Sequence, residues 1–310
     1  MAYLKFGIHY TGSVARAEVV AYARRLESLG YDGFWATENA RGREPLLVLA
    51  TAAAVTNLDI GTGVLLLPFR HPTLLARELA TLDRLSDGRL IVGVGVGGER
   101  APDFDAYGIG RNERGARADE SLELMRRLWS EHDVSHDGRF YKIDAATIDV
   151  RPVQQPRPRI WVGGRLGGQG KSRDAALKRT ARYGDGWLPY LITPEQYATG
   201  LQRLEQYASE QGRDAATFAH AAQIYVAIYD TKNDALVAAM QTTARGYGLD
   251  EAQVERFCVI GTATDVIERL KQCAEAGVRY FVVQWSCLPS DVQRNIEVFA
   301  KEVMPALRDA

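Results

Sequence analysis

The sequence has 310 residues, 46% of them apolar and 25% charged, with 38 Lys and Arg set against 39 Asp and Glu. That length and composition suit one large globular domain or two ordinary ones, and near-neutrality provides no global field to draw nucleic acid or an anionic membrane surface. No run reaches the ~18 apolar residues of a membrane span, the N-terminal MAYLKFGIHYTGS does not read as a secretory leader, and a cytoplasmic protein is expected.

Apolar runs alternate with helical patterns along the chain. A strand is expected at 4–10, then a helix over 15–30 whose Val19, Ala23, Leu26 and Leu29 share one face. The theme repeats with a strand at 33–38 and a helix at 44–56, and again with a strand at 59–67 and a helix at 71–88. The fourth strand, 89–96, has its helix delayed to 114–129 by a polar loop. Residues 130–158 break the rhythm with HDGRFYKID, which reads as a hairpin, and RPVQQPRPR, which reads as an extended linker. Strands at 160–164, 186–190, 220–230 and 280–286 then alternate with helices near 172–184, 193–211, 232–277 and 290–307. Eight units predict an α/β chain closed into a (β/α)8 TIM barrel, one domain over 1–310, with insertions after strand 4 and around strand 7.

One stretch invites a different reading. IVGVGVGGERAPD places Gly93, Gly95 and Gly98 in the G-x-G-x-x-G spacing of a dinucleotide loop. Such a loop needs a helix opening at its third glycine, because the pyrophosphate rests on that helix's amides. Here Pro102 and acidic residues follow instead, after three strand-helix units, so the context argues against a nucleotide loop and assigns Gly93 to barrel packing.

In a barrel, the residues at the C-terminal strand ends face the reaction. They are His9 and Tyr10; Thr37, Glu38 and Asn39; Gly63 to Pro68; Gly95 to Glu99; Gly163 and Gly164; Trp187 and Tyr190; Gln223; and Gln284 with Trp285. A glycosidase would want two facing carboxylates, and only Glu38 and Glu99 qualify. A metal hydrolase would want converging ligands. Only His9 lies at a strand end, while His132 and His136 straddle the end of the fourth helix without a third ligand, so no metal is expected. Cys258, Cys273 and Cys287 fit no zinc or redox spacing and read as small buried hydrophobes. Glycine-rich strand ends with indoles suggest a large planar cofactor pressed against main chain. GGRLGGQGKSRDAAL, with Lys171, Ser172 and Arg173 near a helix start, suits either a phosphate or a plain helix cap.

GTGVLLLPFRHP, GRLIVGVGVGG with DFDAYG, SLELMRRLWS, DGRFY, RPRIWVGG and RYGDGW stand in the order found in the bacterial luciferase-like flavin- and deazaflavin-dependent oxidoreductases, which the chain resembles from about residue 4 to 190. The resemblance implies a barrel that holds coenzyme F420, or alternatively FMN, at its C-terminal face and acts on a small-molecule substrate as a homodimer. It implies a non-proline cis peptide at Gly63–Val64 behind the ring, with Gly97 and Gly98 as further ring contacts. It places Glu38 and Asn39 beside the reactive edge, where the family often has Asp-His, so that His9 or Glu38 becomes the proton donor with a raised pKa. It assigns Gly163, Gly164, Ser172 and Arg173 to the phosphate and Trp187 to the cofactor. The resulting expectation is an F420-dependent oxidoreductase. An FMN-dependent monooxygenase and a non-catalytic flavin-binding paralogue are the alternatives, and Phe104, Tyr107 and Tyr247 suggest an apolar or aromatic guest.

Overall fold

The computed structural model describes residues 3–98, 101–166 and 174–308. In chain order the strands are β1 (Lys5–His9), β2 (Gly33–Ala36), β3 (Asp59–Thr62), β4 (Leu65–Leu66), β5 (Leu90–Gly95), β6 (Val134–Asp137), β7 (Lys142–Ala146), β8 (Arg159–Gly163), β9 (Gly186–Leu188), β10 (Ala219–Ile228), β11 (Val259–Gly261) and β12 (Tyr280–Trp285). Among them β1, β2, β3, β5, β8, β9, β10 and β12 pair side by side in parallel, and β12 returns to β1, closing the predicted eight-stranded barrel. Closure gives each of these eight strands a partner on both sides.

The helices form where the sequence supplies their ends. His71 caps Pro72–Leu85 with Pro72 in the first turn, and Thr193 with Gln196 builds a capping box for Pro194–Glu210. Their apolar faces cover the outside of the barrel in one cluster running from Leu4 to Leu307.

Several local expectations are corrected. The third strand does not run unbroken over 59–67: it stops at Thr62, the Gly63–Val64 peptide bond is cis, and β4 resumes beside β5. The region 232–277 is not wholly helical, because β11 adds to the upper part of β10. Its VIG core is too short to register against flanking helical patterns. The loop after β5 contains a short helix, Ala101–Asp105. The expected hairpin is present as antiparallel β6 and β7. His136 sits in that hairpin, not at a helix end, and its Nε2 lies 3.2 Å from Glu120, which also accepts the main-chain N–H groups of Phe140 and Tyr141.

Candidate active site

Side chains alternate in and out along each strand, and the inward ones fill the lower barrel. Trp35, Trp161 and Tyr280 meet there with ring centroids 5.2–5.7 Å apart, joined by Ile91, Leu188, Ala221 and Val282. Gly7, Gly33 and Gly61 flank the Trp35 indole, and a Cβ at any of them would overlap it. The barrel therefore has a solid floor, which leaves its C-terminal mouth as the place for a ligand within the barrel.

The glycines of the G-x-G-x-x-G stretch find their use at this level. Val64, carried inward by the irregular main chain, sits where side chains of Gly95 and Gly163 would otherwise be: a Cβ at either would stand 2.6 or 2.7 Å from its methyl groups. Gly93 faces the Thr62 carbonyl so closely that no Cβ fits, which makes it a packing glycine as expected. Gly97 adopts φ +66° and backs onto Phe104 and Leu66, and Gly98 accepts a hydrogen bond from Arg111 at 2.6 Å.

His9, inward at the end of β1 and 2% exposed, forms the polar centre of the mouth. Its Nδ1 lies 2.9 Å from the Thr37 hydroxyl, which lies 2.7 Å from the Gly63 carbonyl. A carbonyl only accepts, so the single hydroxyl proton goes to Gly63 and the His9 proton is assigned to Nδ1. Nε2 is then a bare acceptor, and it meets no hydrogen-bond partner among the described residues. Burial pushes the His9 pKa down to about 4. The Gln223 side chain opposes that fall but makes no hydrogen bond of ordinary geometry to the ring. The expected raised pKa is thus reversed, because the ring is buried without a counter-charge.

Glu38 is placed differently from its expected role. Its Oε1 accepts from Arg70 at 2.6 and 2.9 Å, and its Oε2 accepts the Leu66 N–H at 2.6 Å. Both oxygens are used as acceptors, tying β4 to the end of β2, so its geometry is that of a brace and not a proton donor. Asn39 is turned into its own loop, where its side chain accepts the Arg41 N–H. Trp187 points outward: its neighbour Leu188 belongs to the interior cluster, while the Trp187 ring is fully buried, stacked on Tyr197 at 5.5 Å. It is removed from the mouth except that its indole N–H reaches the Gly164 carbonyl at 3.2 Å. Gly163 and Gly164 stand at the end of β8, whereas Ser172 and Arg173 lie outside the described residues.

The opposite wall holds the strand-end residues Gln223 and Gln284 together with Tyr225 and Arg165, to which sequence reasoning gave no role. Gln223 donates to the Tyr225 hydroxyl at 2.8 Å and to the Gln284 carbonyl oxygen at 3.0 Å, and the hydroxyls of Tyr225 and Tyr247 are 2.6 Å apart. Arg165 lies 5.0 and 5.7 Å over the rings of Tyr190 and Tyr247. Phe104 is buried under Phe69, while Tyr107 stacks on Phe69 at 4.4 Å and remains partly exposed at the rim. The three cysteines are buried and free, and burial pushes their thiols up to about 11–12, so they are poor nucleophiles. A depression of about 510 Å³ lined by Thr193, Lys232, Arg256 and Arg269 lies among the helices following β9 and β11, away from His9.

The chain matches the luciferase-like monooxygenase family over residues 3–280. It is 25% identical over 345 residues to the 5,10-methylenetetrahydromethanopterin reductase of Archaeoglobus fulgidus, covering 98% of this chain and 100% of that one. It is 26% identical over 326 residues to the F420-dependent glucose-6-phosphate dehydrogenase of Intrasporangium calvum, covering 94% and 95%. The crystal structure of monooxygenase RslO1 from Streptomyces bottropensis superposes with a TM-score of 0.82 at 27% identity, covering 97% of this chain and 99% of that one. With a closed barrel and a glycine-lined mouth around a buried histidine, this chain belongs to the luciferase-like monooxygenase family of enzymes.

Proposed function

We propose that this enzyme is a coenzyme F420-dependent oxidoreductase that moves a hydride between the deazaflavin and a small alcohol or carbonyl substrate. The observation that carries the reading is the buried Nε2 of His9, an acceptor with no partner among the described residues. Leaving such an atom unsatisfied costs about 1–3 kcal/mol, and a substrate hydroxyl is the kind of donor that would complete it.

The coenzyme, when bound, supplies the redox chemistry. The chain's residues fit that division of labour. Val64, Gly97, Gly98, Gly163 and Gly164 would hold the ring and its phosphate-bearing tail, with Ser172 and Arg173 added by the resemblance. The floor of Trp35, Trp161 and Tyr280 keeps water from entering below. With its pKa near 4, His9 is neutral at pH 7, so it takes the proton from an alcohol as the hydride leaves and returns it in the reverse direction. Glu38 braces β4 through Arg70 and Leu66.

The choice of F420 is supported by the dehydrogenase relative, which aligns along nearly its whole length. Likeness to monooxygenase RslO1 favours a second reading, an FMN-dependent monooxygenase. Titrating the purified protein with F420 and with FMN, then assaying F420 reduction by secondary alcohols, separates the two. Binding of F420 with alcohol-dependent reduction is expected; binding of FMN but not F420 overturns the reading.

A further inference from the structure

The Thr37 hydroxyl is the ring's one hydrogen-bonded tether among the described residues. It bridges His9 Nδ1 at 2.9 Å and the Gly63 carbonyl at 2.7 Å, joining the ends of β1, β2 and β3 through a single oxygen. Among the described residues, the other groups around the ring are Trp35 on β2, with its ring 6.5 Å away, Gly63 just past the end of β3, and Gln223 on β10. Both amide hydrogens of Gln223 are committed to Tyr225 and Gln284, and among the described residues no carboxylate or cation acts on the imidazole. Thr37 makes the one hydrogen bond of ordinary geometry, among the described residues, that bears on which ring nitrogen keeps the proton.

We propose that Thr37 is a positioning residue, whose hydroxyl holds the proton of His9 on Nδ1 and so keeps the Nε2 lone pair available as the acceptor in the mouth. The reasoning is a count of hydrogens. The hydroxyl has one proton and two neighbours; Gly63 can only accept it, so the second contact is made only if Nδ1 donates. The opposite tautomer would set two lone pairs against each other at the Nδ1 contact or leave the Gly63 carbonyl facing an oxygen without a hydrogen. A serine keeps this arrangement, and a valine of nearly the same shape removes it. The catalytic consequence rests on the function proposed above; the tautomer does not.

Nitrogen-15 labelling of the five histidines, with His9→Asn to identify the His9 signals, reads the tautomer in the protein without coenzyme. The wild type is expected to carry the proton on Nδ1 and an unprotonated Nε2 at neutral pH. Thr37→Val is expected to give a mixture of tautomers and Thr37→Ser to restore the wild-type signals. In the coenzyme-loaded enzyme, Thr37→Val should lower kcat by roughly tenfold or more with KM little changed, and Thr37→Ser should recover it. A wild-type proton on Nε2, or a Thr37→Val protein with unaltered His9 signals, overturns the proposal. Should Thr37→Val fail to fold, the wild-type tautomer and the serine variant still decide it. Lack of turnover with F420 in a wild type that shows the expected tautomer counts against the proposed function alone.

Discussion

The floor and the mouth of the barrel use glycine in the same way and differ in what the glycines admit. On the floor, Gly7, Gly33 and Gly61 admit the Trp35 indole, whose N–H finds the Tyr280 hydroxyl at 3.3 Å. At the mouth, Gly95 and Gly163 admit Val64, and beside it the His9 acceptor has no partner among the described residues. Floor glycines thus admit a core side chain, in a cluster whose Trp161 N–H is likewise without a partner among the described residues, whereas mouth glycines accommodate irregular main chain around the His9 acceptor.

The comparison breaks most visibly at His9. His9→Asn should lower kcat with the loaded coenzyme by about 100- to 10,000-fold, the usual range for a positioned proton acceptor; an unchanged single-turnover rate would remove His9 from the chemistry.

The next effect is on stability. His9 has a folded pKa near 4 against 6.5 for the free side chain, so below pH 6.5 the unfolded chain binds the proton first. Its contribution is present above pH 6.5 and is lost progressively as pH falls toward 4, by up to about 3 kcal/mol. Denaturant titrations from pH 7 to pH 4 should show a steeper decline for the wild type than for His9→Asn. Parallel curves would show that the ring is not held neutral by burial.

A pair of alanine substitutions tests the two sets of glycines. Gly61→Ala should cost about 1–3 kcal/mol by overpacking the floor against Trp35. Gly163→Ala, which meets a Val64 methyl at 2.7 Å, should weaken coenzyme binding more than it lowers the melting temperature. Equal losses of stability with coenzyme binding intact would erase the distinction.

The smallest effect is expected at Glu38. Glu38→Gln keeps one acceptor but loses the charge on the Arg70 contact, for a loss of about 1 kcal/mol. It should leave the acid limb of the rate profile where the wild type has it. A displaced limb would return Glu38 to the proton path.

How far the mouth could be read from the chain varied residue by residue. The alternation of units was legible because each strand and helix carries its own period and its own stops, as in the Pro72 and Pro194 helix starts. The exclusion of a nucleotide loop at Gly93 was equally local. By contrast, β11 is three residues of apolar chain between helices, and only its pairing with β10 makes it a strand. The outward direction of Trp187 is not legible in the sequence, because a three-residue strand has too little pattern to say which face is inward.

The sequence by itself determined the barrel, the order of its units and the short set of strand ends where chemistry could sit, because periodicity and capping act over a few neighbouring residues. Only the tertiary structure decided what those strand ends do. Glu38 is occupied by an arginine 32 residues later, and the His9 ring is tethered to Thr37, 28 residues away, whose hydroxyl also reaches the Gly63 carbonyl beyond a third strand. Hydrogen bonding and desolvation depend on what surrounds an atom in space, and barrel closure, not spacing along the chain, sets those surroundings.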